Sequence, residues 1–207
     1  MSQGGPEALA AEADQPRGAL VAVVGPSGAG KDTLIDAARK ALTGNPRFIF
    51  PRRVVTRPVN PDLEVHESVS DAEFHRAEDE GAYAAVWRSH GNAYGLPVSI
   101  VEDVARGHVV VVNVSRAVID TLRRRVALVH VIHVSARPDV LAERLRARGR
   151  ESADQIAARI ARNNEIGLPT APITLIDNSG DVNDAISAFI AACHSVARGL
   201  NSAESPA

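Results

Sequence analysis

"GPSGAGKDTL", residues Gly25 to Leu34, carries the spacing G-x-x-x-x-G-K of a phosphate-binding loop that opens into a helix. Before it, "ALVAVVG" (Ala19 to Gly25) is a short apolar, β-branched run of the kind that forms a strand buried on both faces. After it, Leu34, Ile35, Ala38 and Leu42 recur with helical spacing until Gly44, Asn45 and Pro46 end the segment. Glycines in such a turn let successive N–H groups point inward at phosphate oxygens, the helix N-terminus adds its positive end, and the lysine reaches the outer phosphates. Gly25, Pro26, Ser27, Gly28, Ala29, Gly30, Lys31, Asp32 and Thr33 are therefore the expected nucleotide-binding residues. Among 23 basic residues Lys31 and Lys40 are the only lysines, so a chain that otherwise uses arginine keeps a compact cation where the loop requires one.

Asp32 breaks the pattern, since that position normally supplies a hydroxyl to Mg²⁺. A carboxylate is also a hard oxygen ligand, so Asp32 either holds the metal, directly or through water, or stabilises the helix N-terminus as a negative charge. Thr33 then offers its hydroxyl to an inner phosphate.

Outward from the loop, "HVVVVNVS" (His108 to Ser115) and "ALVHVIHVS" (Ala127 to Ser135) repeat the buried-strand pattern, each followed by a helical stretch. The alternation predicts an α/β fold with a parallel sheet and crossover helices. One helix is bracketed by Pro138 and Gly149 around Val140, Leu141 and Leu145; "ITLIDN" (Ile173 to Asn178) is a last strand. The final helix is expected to carry Val182, Ile186, Phe189, Ile190 and Cys193 on one face and to stop at Gly199. Between about 52 and 97 the rhythm breaks into short strands, a helix capped by Ser70 with Glu73, and a hairpin around Gly91 and Asn92, which reads as an inserted lobe. A second insertion near 146–165 contains another capping box, Ser152 with Gln155.

The 207 residues, 45% of them hydrophobic, suffice for one domain with such an insertion, spanning 18–200. A net charge of -2 gives no broad basic field, which argues against nucleic-acid and membrane partners and makes any anion site local. The single cysteine, Cys193, excludes an internal disulfide and a cysteine-based zinc cluster; it fits the cytoplasm and reads as core. Residues 1–17 lack the basic start and apolar stretch of a secretory signal and read as a disordered leader, and 201–207 as a disordered tail. No apolar run approaches the ~18 residues that span a bilayer.

Two arginine groups lie outside the core units: Arg52, Arg53 and Arg57, with His66, Arg88, His90 and Tyr94 following, and then Arg148, Arg150, Arg159 and Arg162. A phosphate loop with two basic insertions is what phosphoryl transfer needs, one clamp for the acceptor's anionic groups and one lid over the transferring phosphoryl. No carboxylate is placed as a general base, and the strand end "VVVVNVSR" has Asn113 and Ser115 where many kinases have aspartate. An acceptor that is itself a phosphate is largely ionised at neutral pH and needs no base.

From about Leu20 to Leu200 the motifs "GPSGAGK", "TRP", "VSDAEF", "GNAYG" and "RARGRES" resemble guanylate kinases in matching order. The resemblance implies a P-loop nucleoside-monophosphate-kinase fold, three layers around the parallel sheet, with an acceptor-binding lobe and a small helical lid. The positions that read guanine in that family hold Arg53, Ala85 and Asn113 with Ser115 here. "GPSGAGKD", "RRVVTR", "HESVSDAEF", "HGNAYGL", "VVVNVSR" and "RGRE" are more similar to the guanylate-kinase-like ribose 1,5-bisphosphate phosphokinases of bacterial phosphonate breakdown. That similarity implies a kinase, monomeric or homodimeric, using ATP and Mg²⁺ to convert ribose 1,5-bisphosphate to 5-phosphoribosyl 1-diphosphate and ADP. It implies roles for Lys31, Arg57, Arg148 and Arg159 in catalysis, with Arg150 and Arg162 as further lid arginines. Arg53, Arg57, His66, His90, Tyr94 and Arg116 would bind the acceptor, Asp32 the metal, and Asn178 would lie beside the adenine. A guanylate kinase with altered base recognition and a non-catalytic guanylate-kinase-like binding module are the competing readings.

Overall fold

Strand β1 (Ala19–Val24) is wholly buried because each of its faces meets a different apolar layer. Ala19, Val21 and Val23 join one cluster and Leu20, Ala22 and Val24 another. This computed structural model describes residues 17–57, 66–89, 91–147, 154–156 and 172–202. Apart from Arg17, the expected leader lies outside them, as do residues 203–207 and most of the 146–165 insertion, including Ser152 of the expected capping box.

Helix α1 (Lys31–Ala41) follows β1 and turns Leu34, Ile35 and Ala38 inward. Strands β2 (Phe48–Ile49), β7 (Val109–Asn113), β8 (Val129–Ser135) and β9 (Ile173–Asp177) complete a five-stranded sheet in the order β2-β7-β1-β8-β9. Every pairing in it is parallel. Helices α1 and α6 (Val182–Ser202) cover one face. Helix α3 (Ser99–Ala105), a 3₁₀ turn at Arg116–Val118 and helix α4 (Ile119–Arg123) cover the other. Helix α5 (Pro138–Ala147) runs from the exit of β8.

Strands β3 (Val54–Val55), β4 (Glu67–Ser68), β5 (Tyr83–Ser89) and β6 (Asn92–Pro97) form a second, mixed sheet in the order β4-β3-β6-β5. Helix α2 (Asp71–Asp79) starts at the expected capping box: Ser70 Oγ accepts from the Glu73 amide at 3.3 Å, and the Ser70 amide donates to the Glu73 carboxylate at 2.8 Å. Phe74 of α2 stacks on Tyr83 with ring centres 4.8 Å apart. The same Tyr83 ring fixes Gly95, where an added Cβ would lie 2.7 Å from ring carbons. Ala85, Trp87, Tyr94 and Leu96 of the β5–β6 hairpin share an apolar cluster with Leu20, Ala22, Val24, Val110 and Val112, so the second sheet is joined to the main one through hydrophobic contact.

The last helix corrects the expectation at its C-terminal end. It runs through Gly199 to Ser202, taking Asn201 and Ser202 out of the expected tail. A helical glycine costs roughly 0.5–1 kcal/mol relative to alanine. Leu200, 3% exposed beyond it, returns about 1.5–3 kcal/mol on burial, so packing outweighs the glycine. Its inner face also shifts: Ala185, Phe189, Ala192, Cys193, Val196 and Leu200 are buried, Ile186 and Ile190 pack at the margin, and Val182 is exposed.

Candidate active site

The sheet's parallel strands bring their carboxyl ends to one edge, and β1 meets α1 there through the glycine-rich turn. Gly25 has φ 144°, and a Cβ on it would lie 2.0 Å from the Val134 carbonyl oxygen of β8. Gly28 and Gly30, at φ 88° and 89°, reverse the backbone into α1. No side chain caps that helix, which leaves its first-turn N–H groups to the hollow lined by Ser27, Gly28, Gly30, Lys31, Asp32 and Thr33. Lys31 arches back over the turn, donating from Nζ to the carbonyls of Gly25 at 2.8 Å and Pro26 at 2.9 Å.

Asn178, just past β9, lies beneath the loop. It is 2% exposed, and its Nδ2 donates to the Ala29 carbonyl at 2.8 Å. Asn178 thus braces the loop from beneath through Nδ2, while its Oδ1 is buried without a hydrogen-bond partner among the described residues. Its backbone amide donates to the Ser135 carbonyl at 2.8 Å, tying the end of β9 to the end of β8.

Asp32 takes part in a bond that spans the layers. Asn113, 8% exposed at the end of β7, donates from Nδ2 to Asp32 Oδ1 at 2.7 Å. Together with Ile35, Asp36, Arg39, Pro51 and Arg53 they line a cleft between α1 and the second sheet. Asp36 is paired with Arg39 one turn along, so Asp32 is the carboxylate that faces the loop hollow.

From the second sheet, Arg53 reaches this cleft. Only 7% exposed, its guanidinium lies 5.4 Å from the Tyr94 ring centre and 5.7 Å from that of Trp87. Those two rings are cross-strand partners stacked 5.4 Å apart at 5°. Such a stack fixes a planar cation's direction in a way a lysine would not allow. Arg57 leaves β3 with Nε buried and without a hydrogen-bond partner among the described residues. Its carbonyl accepts from Ser68 Oγ at 2.6 Å and meets His66 Nε2 at 3.3 Å. His66, 7% exposed, thus lies against the backbone of Arg57. Arg88 pairs with Glu78 on an exposed face. His90, Arg148, Arg150, Arg159 and Arg162 lie outside the described residues.

Arg116 opens the 3₁₀ turn after β7, and burial lowers its pKa. Sequence reasoning missed another residue at this end of the sheet, His133, in register with Val24 on β1. Burial, and then the charges of Arg116 and Lys31, push its pKa below the ordinary histidine value, which favours the neutral imidazole. The available signal was its place near the end of the strand next to β1, where functional groups of α/β sheets collect. The Asp32–Asn113 bond was also missed, although each residue is a departure from the usual loop pattern and the two departures explain one another.

The chain's residues 21–167 match a family model described as an AAA domain. The ribose 1,5-bisphosphate phosphokinase PhnN of Brucella melitensis is 48% identical over 186 residues, which cover 90% of this chain and 97% of that protein. The chain belongs to the ribose 1,5-bisphosphate phosphokinase family. The Agrobacterium fabrum ribose 1,5-bisphosphate phosphokinase PhnN is 43% identical over 80% of this chain and 91% of its own length. As a member of the ribose 1,5-bisphosphate phosphokinases the protein is a phosphotransferase, and a P-loop kinase draws on a nucleoside triphosphate, typically with Mg²⁺. Among solved structures, the guanylate kinase of Anaplasma phagocytophilum aligns with a TM-score of 0.62 at 16% identity, covering 87% of each chain; this likeness shows the fold. Among the described residues no helix is long and apolar enough to cross a membrane. The donor set at the loop fits a magnesium nucleotide: uncapped helical N–H groups and Lys31 for phosphate oxygens, and a hard carboxylate oxygen at Asp32 that no other described side chain occupies.

Proposed function

We propose that this protein transfers the γ-phosphoryl group of ATP to the 1-phosphate of ribose 1,5-bisphosphate, giving ADP and 5-phosphoribosyl 1-diphosphate, as a step in phosphonate degradation in the cytoplasm. An oxygen of the acceptor phosphate bonds to the γ-phosphorus, and the bond from that phosphorus to the bridging oxygen of ADP breaks. The acceptor oxygen is already ionised, so no general base is needed. The observation that carries the reading is Arg53: a buried guanidinium, oriented by Tyr94 and Trp87 and lining the cleft beside the loop, is suited to the bidentate grip of a phosphate. Buried Ala85 on the same hairpin gives a base no polar group, and a pocket that reads a base by hydrogen bonds cannot substitute a methyl for one.

In this reading Gly25 to Thr33 hold the triphosphate and Lys31 moves from the loop carbonyls to the outer phosphates. Asp32 would hold Mg²⁺, which would supply positive charge to offset that of the phosphates. Arg53, Arg57 and Arg116 grip the acceptor, with Tyr94 orienting Arg53 and His133 as a neutral donor. Residues 52–97 are the acceptor lobe, and 146–165 the lid that supplies Arg148 and Arg159. Closure of both would keep water from the phosphoryl group.

Purified protein with Mg-ATP should release ADP and form 5-phosphoribosyl 1-diphosphate when given ribose 1,5-bisphosphate, and should do neither with GMP. Turnover with GMP alone would make it a guanylate kinase, and turnover with neither would remove the proposal.

A further inference from the structure

We propose that Asn113 is a positioning residue for the metal and that Asn113 and Asp32 are an exchanged form of the pair with which P-loop enzymes hold Mg²⁺. In the common form the residue after the loop lysine gives a hydroxyl, and an aspartate from a neighbouring strand gives the carboxylate. Here the residue after Lys31 is the carboxylate, and the end of the neighbouring strand β7 carries a side-chain amide. The 2.7 Å bond between them shows that the two changes belong to one unit. The site keeps one carboxylate; only the element that carries it has changed.

The exchange has a physical logic. An unrestrained aspartate in the first turn of a helix rotates among rotamers, whereas Asn113, buried, pins one oxygen of an Asp32 that lines the loop hollow and leaves the second to a ligand. An aspartate at both positions would place two carboxylates within hydrogen-bond distance, where both cannot readily ionise. Once Asp32 occupies the loop position, position 113 therefore needs a neutral donor, and asparagine supplies one. Asp36 cannot take over, since it is committed to Arg39. The inference rests on Asp32 as the metal's ligand, and the test separates the two.

Mn²⁺ in place of Mg²⁺, titrated into the protein–ADP complex and followed by electron paramagnetic resonance, reads the site without turnover. Asn113→Ala should weaken Mn²⁺ binding about tenfold, as loss of a group that orients a ligand does, while ADP affinity without metal stays the same. Asp32→Ser should weaken Mn²⁺ at least as much, and the double variant Asp32→Ser/Asn113→Asp should restore it. If Asp32→Ala weakens Mn²⁺ and Asn113→Ala does not, the role of Asn113 falls and that of Asp32 stands. If Asp32→Ala leaves Mn²⁺ binding unchanged, the metal role of Asp32 falls and this inference with it. Should Asn113→Ala not fold, the double variant decides: Mn²⁺ affinity that is not restored overturns the exchange.

Discussion

Asn178 and Ala29, 149 positions apart in the chain, are joined by a 2.8 Å hydrogen bond that closes the underside of the phosphate loop. The bond also explains Gly30: a Cβ there would lie 2.4 Å from Asn178 Nδ2, at a φ of 89° that a side chain resists. Asn178→Ala should cost about 1–3 kcal/mol, because the buried Ala29 carbonyl loses its donor. Gly30→Ala should cost at least the ~1–2 kcal/mol of left-handed strain and should weaken ADP binding as well. Denaturant unfolding with and without ADP checks both.

Arg53 should set the affinity for the acceptor and leave ATP alone. Arg53→Met, which keeps bulk against Trp87 and Tyr94, should raise the acceptor KM about ten- to hundredfold, since a hydrogen bond to a charged group is worth ~1.5–3 kcal/mol. Arg53→Lys should recover little, because an ammonium lacks the planar fork that the ring pair orients. Steady-state kinetics with each substrate varied in turn measures the split.

Stability should fall in mild acid. Burial lowers the pKa of His130, whose ring hydrogen-bonds Thr174 Oγ1 at 2.8 Å; burial with Arg116 and Lys31 lowers that of His133. Below the ordinary value of 6.5 the unfolded chain binds protons that the folded chain refuses. The stabilisation is thus complete above that pH and is lost as pH drops toward the folded-state values. His133→Asn should flatten this dependence in urea unfolding, and an unchanged slope would remove His133 from it.

Cys193 should resist modification while the protein is folded. Burial pushes its thiol up to about 12, so almost no thiolate exists at neutral pH. Alkylation should therefore proceed at the rate of unfolding, with urea accelerating both in parallel.

What the chain's local order determined is the mononucleotide-binding core: a β-branched run, three glycines at fixed offsets, a lysine and an apolar helical stripe dictate strand, loop and helix within Ala19 to Leu42, because each acts on its near neighbours. The capping box at Ser70 and Glu73 was legible for the same reason. The arginine-rich entry to the second sheet was visible too, but its direction was not, since that depends on a ring pair brought together by strand register. Only the tertiary structure decided that Asn178 supports the loop, that Asn113 holds Asp32 across 81 positions, that burial with the charges of Arg116 and Lys31 lowers the pKa of His133, and that α6 continues past Gly199. Each of these is settled by burial or by a bond between distant segments, where desolvation and packing outweigh local preference.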